Sequence, residues 1–261
     1  MQKLAIMREY ADAYSKILSK QSWATHLYVD AFCDQGWHYS REDGTVVPGS
    51  PLNALRLNCP FDEYHFIDIS ARKAEALRRR VSRRRDVYVY AEDCNPLLLR
   101  EIIPRIRQDS HIRALMVLDP YGLQVQWPVV RAAGQSKRVD LFLNFSTMGI
   151  HRGVLRKAGE LITEESAALM TSVWGDATWR QVAYPIVDMF GNPRKGDPQA
   201  LVDAYQMRLK DVAGFQYVPD PLPMRNSKGS IMYYLFFAAP NATAKKIVEY
   251  IFAKYRDQGA R

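Results

Sequence analysis

The chain has few cysteines and no long apolar run. Its 261 residues include only three cysteines, Cys33, Cys59 and Cys94, which are odd in number and form no CxxC pair. This count argues against a disulfide framework and against a structural zinc site. No apolar stretch reaches the roughly 18 residues that span a bilayer, and the first ten residues lack the apolar core of a signal peptide. We therefore expect a cytoplasmic protein without a membrane segment.

Nucleotide and hydrolase signatures are also missing. The chain has no GxGxxG after its first predicted strand, no HExxH and no GxSxG. These absences argue against a dinucleotide fingerprint, a zinc peptidase and an α/β-hydrolase. Residues 44–50 imitate the spacing of a phosphate loop, but they lack its phosphate-binding lysine and do not directly follow a predicted strand. We therefore reject ATP hydrolysis.

Positive charge is in excess. The chain has 36 Lys and Arg against 28 Asp and Glu, a formal net charge of +8, within an otherwise ordinary globular composition. Eight of the basic residues fall between Arg72 and Arg85. Such a run is typical of a solvated helix face, and the alternative is a nucleic-acid footprint.

Short apolar runs alternate with helical patterns in the first 145 residues. The runs predict strands at 25–32, 64–68, 87–91, 114–118 and 139–145. The segments around them predict helices at 3–19, 50–57, 71–83, 95–107 and 127–133, of which 95–107 carries a proline kink at Pro104. Strands that helices cover on both faces have such nearly continuous apolar runs. We therefore predict a doubly wound, Rossmann-like α/β sheet that is mostly parallel.

The alternation stops after residue 149. Residues 150–212 show only helical periodicity and predict a helical insertion or cap within a single domain that spans residues 1–261. The helices are predicted at about 158–173, 177–189 and 197–213. The run 231–237 predicts a strand that pairs with a weaker one near 216–218 through a turn at 221–229, which gives an antiparallel hairpin at the sheet edge. A last helix is predicted over 242–255.

An acid stands at or just past the end of four consecutive predicted strands. Asp30 and Asp34 follow the first, and the next three are followed by Asp68, Asp93 and Asp119. Open α/β sheets bind ligands at the carboxyl ends of their strands. Because core packing gives no reason for acids there, they mark a candidate ligand site. The alternative is that they cap the helices that follow.

These positions indicate possible roles. An acid that ends the second strand, such as Asp68, is placed to accept hydrogen bonds from ribose hydroxyls. Asp93 or Asn95 is placed to hold an adenine amine, and helix capping is the alternative. The run Asp119-Pro120-Tyr121 combines a carboxylate, a rigid turn and an aromatic ring. It could hold or deprotonate an amine or a hydroxyl while the ring stacks on a planar substrate.

The order of these motifs resembles that of class I S-adenosylmethionine-dependent methyltransferases. The resemblance is strongest to those that carry D-P-P-Y and methylate exocyclic amines of nucleic-acid bases. Over nearly the whole chain, the sequence is similar to the three-Cys-motif partner family, bacterial and phage proteins encoded beside a radical-SAM-like protein. The matching blocks are Asp30-Ala31-Phe32-Cys33-x-x-Gly36, Gly49-Ser50-Pro51-Leu52, residues 61–68, Asp93-Cys94-Asn95, residues 117–123, residues 140–145 followed by His151-Arg152, and Trp174-Gly175-Asp176.

The resemblance implies S-adenosylmethionine as cofactor and gives the site residues roles. The loop that contains Asp30, Phe32 and Gly36 would face the methionine part. The ribose would be held by Asp68, the adenine amine by Asp93 beside Cys94, and the carboxylate by the Ser50 N-cap and the amides behind it. The acceptor would meet Asp119, Pro120 and Tyr121. The family usually has Gly at position 34, and amine methyltransferases have a second Pro or a comparable turn residue at position 122.

The leading hypothesis is a methyltransferase that acts on a nucleic-acid base or nucleoside. The cofactor would supply an activated methyl group, so the protein would mainly position the reactants. A base within a duplex would have to be flipped out. The segment 150–212 and the cluster His151, Arg152, Arg156 and Lys157 would contact the acceptor strand.

Two alternatives stay open. The first is a non-catalytic binding partner of the radical-SAM-like protein in DNA repair or modification, which Asp34 favours and the acids at 68, 93 and 119 oppose. The second is a different nucleotide-using enzyme on the same sheet.

Overall fold

The strands assemble into one central sheet and two small hairpins. The computed structural model describes residues 2–39, 44, 46–155, 162–226 and 228–258. Its strands are β1 (Thr25–Asp30), β2 (Trp37–Tyr39), β3 (Val46–Pro48), β4 (Glu63–Ile67), β5 (Val87–Tyr90), β6 (Ile112–Leu118), β7 (Val139–Phe145), β8 (Ile186–Val187), β9 (Pro193–Arg194), β10 (Leu222–Arg225) and β11 (Ile231–Ala238). The central sheet has the order β10–β11–β7–β6–β1–β4–β5, while β2 pairs with β3 and β8 with β9.

The central sheet is parallel except at one edge. β1 pairs in parallel with β4 and β6, β4 with β5, and β6 with β7. β11 runs antiparallel to both of its neighbours, β7 and β10. The fold is therefore a Rossmann-like α/β fold with an antiparallel edge hairpin, as predicted. The chain builds β4 and β5 on one side of β1 and then places β6 on the other, so the strand order reverses between β1 and β6.

Helices cover both faces of this sheet. They are α1 (Gln2–Leu18), α2 (Ser50–Ala54), α3 (Ala71–Arg80), α4 (Cys94–Leu97), α5 (Ile103–Gln108), α6 (Trp127–Ser136), α7 (Thr147–Gly149), α8 (Glu164–Trp174), α9 (Trp179–Ala183), α10 (Pro198–Asp211) and α11 (Ala242–Gln258). The core on one face contains residues of α1, α2, α3 and α11, and the core on the other contains residues of α4–α6 and α8–α10. Neighbouring strand residues point to opposite faces, so Tyr28 and Val29 enter different cores.

Three predicted segments differ from the structure. The predicted loop 33–49 contains the β2–β3 hairpin, and the segment between α9 and α10, predicted as helix to residue 189, contains the β8–β9 hairpin. The partner of β11 is β10, which lies in the predicted turn, whereas near 216–218 there is only an isolated bridge between Tyr217 and Ala239. These strands are two to four residues long, too short for an alternating pattern to identify.

The helical run between β5 and β6 is irregular, as its proline predicts. The turn Leu98–Ile102 is wider than an α-helical turn and separates α4 from α5. Pro104 stands in the first turn of α5, directly after this widened turn, and its missing N–H removes one donor from the helical run. The predicted kink is therefore accommodated by a widened turn.

A buried carboxylate ties α1 to the sheet. Tyr10 of α1 donates a hydrogen bond of 2.6 Å to Oδ2 of Asp140 on β7. Burial raises the pKa of Asp140 to about 7, although this hydrogen bond and the nearby charge of Arg113 lower it. Because an unfolded carboxyl group titrates near pH 4, the folded protein holds an extra proton between about pH 4 and 7. Ionisation of Asp140 therefore lowers stability as the pH rises through this window.

We expect Asp140→Asn to remove this pH dependence. Asn cannot ionise, but its oxygen still accepts the hydrogen bond from Tyr10. The free energy of unfolding of the variant minus that of the wild type should rise by about 1–3 kcal/mol from pH 5 to pH 8. Urea denaturation at pH 5, 6, 7 and 8 measures it. A difference that does not change with pH would contradict the raised pKa.

Candidate functional site

The carboxyl ends of β1 and β6 flank the point where the strand order reverses. Asp30, the last residue of β1, is fully buried, and its Oδ1 accepts a hydrogen bond of 3.2 Å from the amide of Phe32. Its Oδ2 is buried without a well-formed hydrogen bond to any described residue. Burial raises the pKa of Asp30 to about 7, while Ser50 and the Phe32 amide lower it and the charge of Asp119 raises it further. Asp30 is therefore a buried carboxylate whose nearby donors are the Ser50 hydroxyl and the Phe32 amide.

The loop after β1 bends through two residues of positive φ. Asp34 has φ +55° and Gly36 has φ +90°. A Cβ atom on Gly36 would lie 3.2 Å from Leu52 and 3.3 Å from Leu77, so both conformation and space favour glycine there. Asp34 keeps the conformation that glycine adopts most easily, because aspartate tolerates it better than most residues.

The Asp34 carboxylate lies among groups from two other elements. Its Oδ2 is 3.2 Å from the ammonium of Lys73 and 3.3 Å from the hydroxyl of Tyr121. Burial alone would lower the pKa of Lys73, but the hydrogen bond and charge of Asp34 and the charge of Asp68 raise it. Asp34 thus links the loop after β1 to α3 and to the loop after β6.

Asp68 closes the carboxyl end of β4 and is buried. Its Oδ2 accepts a hydrogen bond of 3.1 Å from the Asp34 amide, and its Oδ1 accepts one of 2.8 Å from the Ser70 amide. A carboxylate oxygen can accept two hydrogen bonds, so each oxygen retains capacity for another donor. Asp68 is placed at the neighbouring strand end, as predicted.

Asp93, the acid after β5, caps a helix, which was the alternative prediction for it. Asp93 is the N-cap of α4, and its Oδ1 accepts hydrogen bonds from the amide and the side chain of Asn95, at 2.8 and 2.9 Å. Asn95 is buried and connects α4 to the Gln124 carbonyl and the Gln126 amide. Cys94 is a buried free thiol, and burial raises its pKa to about 12. Asp93 itself is exposed, and its Oδ2 takes no part in these hydrogen bonds.

The predicted N-cap at Ser50 is wrong. Gly49 is the N-cap of α2, Ser50 is the first residue of the helix, and Pro51 follows it. The Gly49 amide donates to the Gly36 carbonyl at 2.7 Å, which holds this glycine in the extended conformation of a cap. The Ser50 hydroxyl faces Asp30 instead, where it favours the charged carboxylate.

Asp119, at the end of β6, is held by a lysine and an asparagine. The Lys3 ammonium lies 2.6 Å from its Oδ1 and 2.5 Å from its Oδ2. Asn144 donates to the same Oδ1 at 2.9 Å and to the Pro120 carbonyl at 3.3 Å. Burial alone would lower the pKa of Lys3, but Asp119 and neighbouring Tyr233 raise it. We use the name Asp119 pocket for the cluster of side chains that comprises Lys3, Asp30, Asp119, Asn144 and Tyr233.

Tyr121 stands outside this pocket. It is 77% exposed, and its hydroxyl reaches Asp34 while the Lys73 ammonium lies 5.7 Å from the centre of its ring. Pro120 is buried beneath it. An exposed ring beside a carboxylate can stack on a planar ligand, which is the role predicted for it.

The predicted nucleic-acid cluster is only partly within the described chain. His151 lies in the turn Ile150–Val154, its Nε2 is buried without a hydrogen-bond partner among described residues, and its carbonyl accepts from Lys195 at 2.8 Å. Burial and the charge of Lys195 lower the pKa of His151. Arg156 and Lys157 lie outside the described residues, and so does the side chain of Arg152.

The arginine run contributes to the surface beside this site. Arg78 pairs with Glu75 at 2.6 Å, and Arg80 donates to the carbonyls of Gln35 and Ala76. Arg78, Arg79 and Arg80 are exposed. These three arginines thus form the solvated end of α3, and Arg80 also holds the loop after β1.

A serine–histidine–aspartate array lies at the opposite end of β1. The Ser15 hydroxyl is 2.9 Å from Nε2 of His26, and Nδ1 of His26 is 2.7 Å from Asp62. Ser15, however, is fully buried and donates to the Pro60 carbonyl. A nucleophile needs access to substrate, so this array joins α1 to β1 rather than forming a catalytic triad.

Sequence reasoning missed the partners of the acids. Lys3 and Tyr233 were not singled out, Lys73 was noted only as part of the basic run between Arg72 and Arg85, and Asn144 only within a matching block. No group of three or more metal-ligating side chains is arranged to hold an ion in the part of the chain that the structure describes. Within the same ranges, no helix is long and apolar enough to cross a bilayer.

Comparison with known proteins supports the fold alone. No protein-family model matches the chain, and no curated protein matches it. Among solved structures, the chain is similar to the crystal structure of protein LPL1258 from Legionella pneumophila strain Philadelphia 1, which is described with the family model DUF519. The two chains are 9% identical, the TM-score is 0.52, and the match covers 96% of this chain and 91% of that one.

Proposed function

We propose that the protein is an S-adenosylmethionine-dependent methyltransferase that acts on an amine of a nucleic-acid base or nucleoside. The observation that carries this proposal is the placement of Asp30 and Asp119 on either side of the reversal in strand order, with Asp68 at the next strand end. Ligands of open α/β sheets bind at this point.

The acids fit the polar groups of this cofactor. The Oδ2 of Asp30, which forms no well-formed hydrogen bond to a described residue, suits an ammonium group, and the remaining lone pairs of Asp68 suit ribose hydroxyls. Asp93 keeps one oxygen for an adenine amine. When bound, the cofactor would supply an activated methyl group. The short helix α2 adds little to its binding, because five residues make a weak dipole.

The acceptor would enter from the side of Asp119 and Tyr121. Asp119 would hold its amine, and the exposed ring of Tyr121 would stack on its base. Extrusion of a base from a duplex costs a few kcal/mol, which such stacking offsets in part. The charge of +8 favours a polyanionic acceptor.

A transfer assay tests the proposal. The protein is incubated with S-adenosylmethionine labelled in its methyl group and with mixed-sequence DNA and RNA, single- and double-stranded, or free nucleosides. We expect label in at least one of these acceptors, on an exocyclic amine after hydrolysis to nucleosides. Binding of the cofactor without transfer to any acceptor would argue against the enzyme.

One observation favours the non-catalytic partner as a second candidate. The Asp34 carboxylate bridges to Lys73 and Tyr121 beside Asp68, where the ribose would lie. A negative charge in this position repels the cofactor carboxylate. A partner of a radical-SAM-like protein would need no open cofactor site.

Asp34→Gly distinguishes the two candidates. Glycine adopts the positive φ freely and removes the bridge, so the enzyme should bind S-adenosylhomocysteine about tenfold more tightly, which corresponds to roughly 1.4 kcal/mol. Calorimetry measures this change, and Asp34→Asn, which keeps the size without the charge, separates crowding from repulsion. If neither variant nor the wild type binds the ligand, the non-catalytic partner is favoured.

A further inference from the structure

Lys3 occupies the Asp119 pocket in the way that an amine ligand would. Its ammonium contacts both oxygens of Asp119 and lies 5.1 Å from the ring centre of Tyr233. Its side chain is only 21% exposed. A carboxylate and an aromatic face are the groups that proteins use to bind amines and ammonium ions.

The Asp119 pocket contains a hydrogen-bond acceptor that no described residue uses, the Oδ1 of Asn144. Its Nδ2 donates to the Asp119 carboxylate and to the Pro120 carbonyl. Because both of these neighbours are acceptors, the side-chain amide cannot be reversed without two repulsive contacts. Its Oδ1 is consequently buried with no partner among the described residues. A ligand with N–H groups would satisfy it.

We propose that Lys3 is a built-in competitor of the acceptor amine, so that the pocket admits only ligands whose amine can replace it. This inference rests on the proposed function and concerns the same site. Lys3 stands in the first turn of α1, which begins at Gln2, and its flexible side chain can leave without unfolding the helix. A substrate with a keto oxygen in place of the amine would bring a second hydrogen-bond acceptor to the Asp119 carboxylate. Such a substrate would not displace Lys3.

The competition lowers the apparent affinity for an amine. A site that is free for only a fraction of the time binds with a dissociation constant increased by the reciprocal of that fraction. Removal of the ammonium should therefore raise the affinity for amine ligands and not for their keto analogues. If Lys3 instead donated a hydrogen bond to an oxygen of the substrate, its removal would lower the affinity for the keto nucleosides.

The test uses nucleoside pairs that differ at this group. Adenosine and cytidine carry an exocyclic amine, whereas inosine and uridine carry a keto oxygen in its place. Their binding to the wild type, Lys3→Met and Lys3→Gln is measured by calorimetry with saturating S-adenosylhomocysteine, which keeps adenosine out of the cofactor site. Lys254→Met is the matched control, because Lys254 pairs with Glu9 of α1 away from the pocket.

We expect both Lys3 variants to bind an amine nucleoside about tenfold more tightly than the wild type. The keto nucleosides and the Lys254 control should show no change. Unchanged or weaker binding of both amine nucleosides by variants that unfold at the wild-type temperature would overturn the proposal. Cytidine and uridine are also titrated without S-adenosylhomocysteine, so failure of the cofactor to bind, which would count against the proposed function, leaves this test intact.

Discussion

Asp119→Ala should reduce methyl transfer at least about 100-fold while leaving the affinity for S-adenosylhomocysteine within about twofold of the wild type. The Asp119 carboxylate is the group of the pocket that would hold the acceptor amine, and it lies across the strand-order reversal from Asp68. Loss of this carboxylate should therefore weaken the binding of the acceptor amine and not that of the cofactor. Transfer to the acceptor found in the labelling assay, together with calorimetry, measures the two effects separately.

This substitution also leaves Lys3 without its carboxylate. A mostly buried ammonium that loses its partner is destabilising, by about 1–2 kcal/mol here because the side chain keeps some contact with water. The double variant Lys3→Met with Asp119→Ala restores the charge balance and should regain stability but not activity. Asp211→Ala, which changes an exposed acid at the end of α10, is the control. Full activity in the double variant would contradict a role for Asp119 in acceptor binding.

Asp68→Ala should weaken the binding of S-adenosylhomocysteine about 30-fold or more. Hydrogen bonds to a charged group contribute about 1.5–3 kcal/mol each, and Asp68 would lose those to the ribose. It would also release the Asp34 and Ser70 amides, which shape the loops on either side. Calorimetric titration of the variant and of Asp211→Ala measures the difference. Equal affinity in the two variants would mean that the ribose does not bind at Asp68.

The sequence allowed the sheet to be predicted because its strands are buried. Nearly continuous apolar runs such as 139–145, in which Asp140 and Asn144 are the only polar residues, are typical of strands between two covered faces, and that strand has the predicted bounds. The hairpins at 37–48 and 186–194 could not be predicted in this way, because their strands are only two or three residues long. Their pairing depends on where the larger elements place their ends.

The site was predictable in its acids but not in their partners. The position of Asp68 after an apolar run identifies a strand end, which is a local property of the chain. The contact between Lys3 and Asp119 joins residues 116 positions apart, and no spacing rule indicates it. The Asp93 cap shows the converse: the same local pattern fits a helix cap and a ligand group, and the fold assigns the cap.

Binding of S-adenosylmethionine by the wild-type protein is the most direct test of the methyltransferase proposal. Calorimetric titration with S-adenosylmethionine and S-adenosylhomocysteine, with NAD and ATP as controls, measures this. We expect one molecule of either sulfur ligand to bind per chain with micromolar affinity and neither control to bind comparably. No binding of either sulfur ligand, by the wild type or by Asp34→Gly, would contradict the methyltransferase proposal.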